Sequence, residues 1–136
     1  MSTPEYANGL TTIQVRYSEC DPMGVVHHSV YPVWFEIGRT ELLRSMSDRS
    51  YKEIEEKGLF LVVAQLNVRY RSPARYDDTL NLATRVKEVG KAKIIHEYEL
   101  NRGSQLIATG NTMLACVNSQ GSISPLPEWL VNTTQQ

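Results

Sequence analysis

The sequence predicts an α+β fold, with one long, mostly apolar helix laid against an antiparallel sheet of about five strands. Three observations carry that expectation. Tyr31, Trp34, Phe35, Gly38, Leu42 and Met46 recur at steps of three and four, the spacing of one face of an α-helix. Val30, Val33 and Ile37 extend apolar character round much of the remaining circumference, so this helix is expected to be buried on most sides. After Gly58 the apolar period shortens to two and stays there almost to the end of the chain, as strands require.

Each element has its own local signature. Residues before Leu10 are polar and expected to be loose. Ile13, Val15 and Tyr17 alternate with Gln14, Arg16 and Ser18, giving a first strand with one polar face. Asp21-Pro22-Met23-Gly24 reads as a type I turn, with Pro where φ must be near −65° and Gly at the fourth position. Ser29 is expected to cap the long helix, and Pro32 falls in its first turn, where a missing N–H loses no partner. The helix runs to about Met46. Ser50 and Glu53 have capping-box spacing for a shorter helix that Gly58 stops.

Leu66, Val68 and Tyr70 then share one strand face. A polar link follows from Arg71 to Asp78, where Pro73 disfavours helix. Leu80, Leu82, Thr84 and Val86 make the next strand, broken at Gly90-Lys91. Ile94, His96, Tyr98 and Leu100 make another. Asn101-Arg102-Gly103 reads as a hairpin turn into an apolar run from Leu106 to Val117, so these last three strands form a meander. Pro127 is placed to start a short helix containing Trp129. A sheet of five strands leaves unpaired edges, which points to a homodimer or homotetramer.

Length and charge bound the function. A chain of 136 residues suits a single domain, 1–136, with a real core. Lys plus Arg (14) nearly balance Asp plus Glu (15) for a formal net charge of −1, which gives no general electrostatic case for nucleic acid or an anionic membrane. No apolar run approaches a bilayer span, and the first residues lack the pattern of a signal peptide. Cys20 and Cys116 form neither a CxxC nor a zinc spacing, so free thiols in a reducing cytoplasm are expected.

The candidate chemistry gathers before the long helix. Asp21 opens a turn, which alone accounts for an Asp there. The positive end of the nearby helix also favours its ionised form, which suits a base or nucleophile. His27 and His28 serve equally well as surface or capping residues, and no second cluster supports a metal site. The backbone N–H of His28, near a helix N-terminus, is a donor for an oxygen that gains negative charge. Glu36 and Arg39, three apart, read as an ion pair or a solvated face. His96 reads as a hydrogen-bonded core residue. A G-x-S-x-G elbow and a Gly-rich phosphate loop are both missing from the sequence.

The run Tyr17-Ser18-Glu19-Cys20-Asp21-Pro22-Met23-Gly24-Val25-Val26-His27-His28-Ser29-Val30-Tyr31 resembles the signature of the 4-hydroxybenzoyl-CoA thioesterase family of hotdog-fold acyl-CoA thioesterases. The segments Trp34 to Arg44 and Tyr70 to Asp78 resemble, in order, two further motifs of its bacterial acyl-CoA thioesterase branch. Glu19 and Cys20 stand where many members have Asp and Thr. The resemblance implies a hotdog fold, a curved antiparallel sheet wrapped round the central helix, and hydrolysis of an acyl-CoA substrate without cofactor or metal. It further implies that Asp21 is the catalytic carboxylate and that His28 supplies the polarising N–H, with Gly24, Val26 and Tyr31 beside the substrate. Arg71, Arg75, Lys91 and Lys93 are candidates to hold the CoA phosphates. Two other functions compete: an enoyl-CoA hydratase of the same fold, whose His would fall at Val26, and a non-catalytic acyl-CoA binder.

Overall fold

Period-two alternation becomes one antiparallel sheet. The computed structural model describes residues 6–135. The strands are β1 (Asn8–Gln14), β2 (Leu59–Tyr70), β3 (Thr79–Val89), β4 (Lys93–Arg102) and β5 (Gln105–Asn118), in the spatial order β1-β3-β4-β5-β2. The last three are the expected meander, and β2 pairs with β5 while β1 pairs with β3. The helices are α1 (Val30–Ser47), α2 (Tyr51–Glu56) and α3 (Glu128–Thr133).

At 1.5 Å per residue α1 is about 27 Å long, enough to lie along the inner face of the sheet. Its buried side carries Tyr31, Trp34, Phe35, Gly38, Leu42 and Leu43, packed toward Leu80, Leu82, Tyr98, Leu100 and Ile107. Phe35 stacks on Tyr98 with ring centroids 4.2 Å apart. Gly38 is there because the helix approaches so closely: a Cβ at that position would stand 2.7 Å from the Leu82 side chain. A second apolar cluster, with Ile54 of α2 and Leu130 of α3, closes the far end of the sheet.

Four local expectations need correction. Residues 1–5 lie outside the described residues, but the chain from Tyr6 is not loose: Ala7 is buried and its N–H donates to the Thr134 carbonyl at 2.8 Å. Strand β1 therefore starts at Asn8, because its register is set by pairing with β3 and not by its own composition. Tyr17 is not in that strand but opens a 3₁₀ turn (Tyr17–Glu19), exposed and edge-on to Tyr76. Ser29 and Ser50 precede their helices without a side-chain capping bond, and the Ser29 hydroxyl pairs instead with His27 Nδ1 at 2.7 Å. The circumference of α1 is not fully covered within one chain either. Val33 is 50% exposed and Ile37 is also exposed, as are Val62, Val63 and Leu66 on the edge strand β2.

Candidate active site

The stretch between the 3₁₀ turn and α1 is held from four directions. The Asp21–Gly24 turn closes with Gly24 N–H donating to the Asp21 carbonyl at 2.9 Å, and Gly24 has φ +79°, a conformation that favours glycine. Val25 bridges to Arg75, and Val26 N–H donates to the Ala74 carbonyl at 2.8 Å, which fastens the turn to the 71–78 link. His27 N–H donates to the Glu19 carbonyl at 2.9 Å. Tyr70, at the end of β2, donates its hydroxyl to the His28 carbonyl at 2.8 Å.

Asp21 is half-buried and has a structural duty. Its Oδ1 accepts the Met23 N–H at 2.8 Å and the Val25 N–H at 3.4 Å, so one oxygen shapes the turn. Among the described residues the other oxygen, Oδ2, has no hydrogen-bond partner. The N–H of His28 likewise meets no acceptor among the described residues. Asp21 and His28 lie on the segment that leads into α1 at Val30, and the unsatisfied N–H groups of the helix start carry partial positive charge. A carboxylate oxygen and a donor at a helix N-terminus can act together on a carbonyl: one attacks or activates water, the other stabilises the oxygen that becomes negative.

Not every residue expected here is presented to a ligand. Gly24 and Arg75 are exposed beside the turn, and Arg71 and Arg75 share its supporting link. Val26 and Tyr31 are in the core, Tyr31 edge-on to both Trp34 and Tyr70. Lys91 and Lys93 lie at the opposite end of the sheet. Lys93 begins β4, and Arg102 at the other end of that strand, about 30 Å away at 3.3 Å per residue, is the one beside Pro73 and Asp78.

Two carboxylates organise the site more than their sequence positions foretold. The buried Glu19 accepts from Arg16 N–H at 2.7 Å, from the Arg16 guanidinium at 3.2 Å and from Trp34 Nε1 at 2.9 Å. Burial pushes its carboxyl upward, but the hydrogen bonds from Arg16 and Trp34 outweigh that and hold it below the usual range. Glu19 thus ties the end of the first strand to the helix two residues before Asp21. Asp78 does the same for the facing link. Its Oδ2 accepts from Arg102 at 2.6 Å and from Arg75 N–H at 2.8 Å; burial pushes its carboxyl up, and these bonds together hold it low. The only sequence trace of Glu19's part is Arg16 three residues before it; nothing in the spacing joins it to Trp34.

A curved five-stranded antiparallel sheet wrapped on one long helix, with a polar turn at the helix's N-terminal tip, defines the hotdog fold. The chain matches the family described as the thioesterase-like superfamily over residues 15–133, and it belongs to that superfamily. It is 35% identical over 114 residues to the acyl-CoA thioesterase YbgC of Haemophilus influenzae, covering 84% of this chain and 83% of that protein. Its structure is similar to that of a DHNA-CoA thioesterase from Staphylococcus aureus, with a TM-score of 0.86 at 29% identity over 92% of this chain and 85% of the other. A 4-hydroxybenzoyl-CoA thioesterase superposes with a TM-score of 0.84 over 94% of this chain and 99% of that one at 16% identity, a likeness of fold alone. The hotdog thioesterase superfamily expected from the sequence is therefore correct.

Proposed function

We propose that this chain hydrolyses an acyl-CoA thioester to the free acid and CoA, as the bacterial acyl-CoA thioesterase branch of its superfamily does. Asp21 is the nucleophile or general base, and the backbone N–H of His28 is the oxyanion donor. What supports this reading is that Asp21 Oδ2 and the His28 N–H, on the one segment that leads into α1, are both without a hydrogen-bond partner among the described residues. The thioester carbonyl sits against the His28 N–H. In one route Asp21 attacks its carbon, the C–S bond breaks, CoA leaves as the thiolate, and water then hydrolyses the mixed anhydride. In the other Asp21 takes a proton from the water that attacks directly. Either way the low basicity of a thiolate makes a triad unnecessary.

The reading includes a second copy of the chain. The outer edge of β2 is unpaired, and Val62, Val63 and Leu66 on it are exposed, as are Val33 and Ile37 of α1. Pairing two β2 edges covers that apolar surface and brings the far end of one sheet toward the Asp21 end of its partner. That is the arrangement in which Lys91 and Lys93 could join Arg71 and Arg75 around the phosphates of CoA. The protein then works as a homodimer, or a tetramer built from two, in the cytoplasm. Among the described residues no helix is long and apolar enough to cross a membrane.

The test is to incubate the protein with short, long and aromatic acyl-CoAs and a thiol reagent. Release of free CoA supports the proposal. Loss of enoyl absorbance without CoA release moves the function to hydration, and saturable binding without turnover moves it to a carrier. Sedimentation of the wild type against Val63→Lys tests the β2 pairing: a lighter particle for the variant is expected, and an unchanged one would reject that interface.

A further inference from the structure

The peptide groups that lead into α1 have partners, apart from a single N–H. His27 N–H donates to the Glu19 carbonyl at 2.9 Å, Ser29 N–H to His27 Nδ1 at 3.2 Å and Val30 N–H to the His27 carbonyl at 3.0 Å. Among the described residues only the N–H of His28 is left without an acceptor in this run of four. The peptide between His27 and His28 is trans, so that N–H points away from the His27 carbonyl that Val30 holds. The next peptide carries the His28 carbonyl. Ser29 has α-region dihedrals, φ −72° and ψ −13°, so this carbonyl lies where the N–H four residues on would meet it in a continuing helix. Four residues on is Pro32, which has no N–H to give. The missing donor comes instead from the end of β2, 42 residues away: the Tyr70 hydroxyl donates to the His28 carbonyl at 2.8 Å. Burial pushes the Tyr70 phenol up, so the hydroxyl stays a donor well past neutral pH. Packing places its ring. Tyr70 stands edge-on to Tyr31 with centroids 5.0 Å apart, Tyr31 stands edge-on to Trp34 at 5.2 Å, and Trp34 Nε1 donates to Glu19 at 2.9 Å. These three rings therefore join the two ends of the loop that carries Asp21 and His28.

We propose that Tyr70 is a positioning residue: its hydroxyl replaces the helix donor that Pro32 lacks, fixes the peptide plane that follows His28, and so holds the His28 N–H in one direction. The role rests on the reading of that N–H as the oxyanion donor, and Tyr70 itself touches no reacting atom. Without its bond the peptide after His28 is free to turn about the His28 Cα, and the N–H loses its fixed aim. An oxyanion donor is worth most when its direction is set before the charge develops, so a loosened N–H stabilises the transition state less than a held one.

The experiment compares the full-length wild type with Tyr70→Phe, which keeps the ring against Tyr31 and deletes only the hydroxyl. The kcat for CoA release should fall about tenfold, less than the roughly 10²–10³ lost when an oxyanion donor is removed outright, with KM within about twofold of wild type. In the substrate-free, 15N-labelled protein the order parameter of the His28 amide should drop from the ~0.85 of a rigid backbone toward ~0.6. Adding Pro32→Ala to Tyr70→Phe returns an N–H to position 32 for the same carbonyl. The double variant should recover most of the lost kcat and of the order parameter, a repair that a mere packing role for Tyr70 does not allow. An unchanged order parameter in Tyr70→Phe, a wild-type kcat in that variant, or no recovery in the double variant would each overturn the proposal. A wild type that releases no CoA would instead reject the hydrolysis, and the order parameters would still decide whether Tyr70 holds the His28 N–H.

Discussion

Asp21→Asn separates the two duties of that side chain. The amide keeps Oδ1, so the bonds from Met23 and Val25 that shape the turn survive, and only the unpartnered Oδ2 is replaced by an NH₂ group. The melting free energy should therefore stay within about 0.5 kcal/mol of wild type, as for a substitution that removes no packed contact. The amide can neither attack a thioester nor take a proton from water. Its kcat should fall by at least ~10²-fold, about 2.7 kcal/mol at 1.36 kcal/mol per decade. Asp21→Ala is the matched control: it also deletes the turn's acceptor and should cost about 0.5–1.5 kcal/mol of stability besides. The assay is initial-rate CoA release at saturating substrate, with a thermal melt on the same preparation. An Asn variant within about threefold of wild-type kcat would refute the reasoning. So would an Asn variant whose activity falls only in step with its melting temperature, because Asp21 would then be a turn residue and nothing else.

Three other perturbations test the frame around the site. Leu42→Asp places a carboxylate in the core under α1 and should cost roughly 3–5 kcal/mol, enough to leave no cooperative melt. Gly38→Ala drives a methyl group into Leu82 and should lower stability by about 1–3 kcal/mol by denaturant titration, while an unchanged midpoint would mean α1 sits further from the sheet. His96 governs an acid limb. Its pKa is about 3 when folded against an ordinary 6.5, so below pH 6.5 the unfolded chain binds the extra proton. The associated stability is complete above pH 6.5 and is lost as pH falls from there toward 3, amounting to about 1.4 kcal/mol by pH 5.5. His96→Leu should flatten that part of the stability profile, and because Nδ1 of His96 is buried without a partner the variant should not be weaker at pH 7.

The parts of this fold that could be read from the sequence are those whose pattern is dictated by one burial boundary. The steps of three and four in α1 and the alternation in β3 and β4 each report a single face against the same core, and both match the structure. Strand β1 was misplaced because Asn8, Gly9 and Leu10 become a strand only through their pairing with Arg85, Thr84 and Ala83. Ser29 has the composition of a cap, yet His27 two residues earlier competes for its hydroxyl. Within the site, the Asp21 turn was visible because turn chemistry is local, and so was the nearness of His28 to the helix tip. The bonds of Glu19 to Trp34 and of Asp78 to Arg102 were not, since each joins residues that spacing cannot relate. Lys91 and Lys93 looked like loop cations near the site; only the direction of β4 shows that they emerge at the other end.

The position of β2, second among the strands in the chain and last in the sheet, has a consequence for how the protein is made. Its partner for Val63 is Leu114, 51 residues later (114 − 63). At a synthesis rate of about 5–20 residues per second, the greasy run Leu59-Phe60-Leu61-Val62-Val63-Ala64 waits about 3–10 s on the ribosome before its complement is even polymerised. The meander of β3, β4 and β5 joins neighbours in the chain and can close as it emerges, leaving β2 as a sticky ribbon until the last of them is complete. Slow translation through residues 64–114 should therefore raise the share of newborn chains that aggregate or are caught by chaperones, while purified, full-length chains refold without that delay.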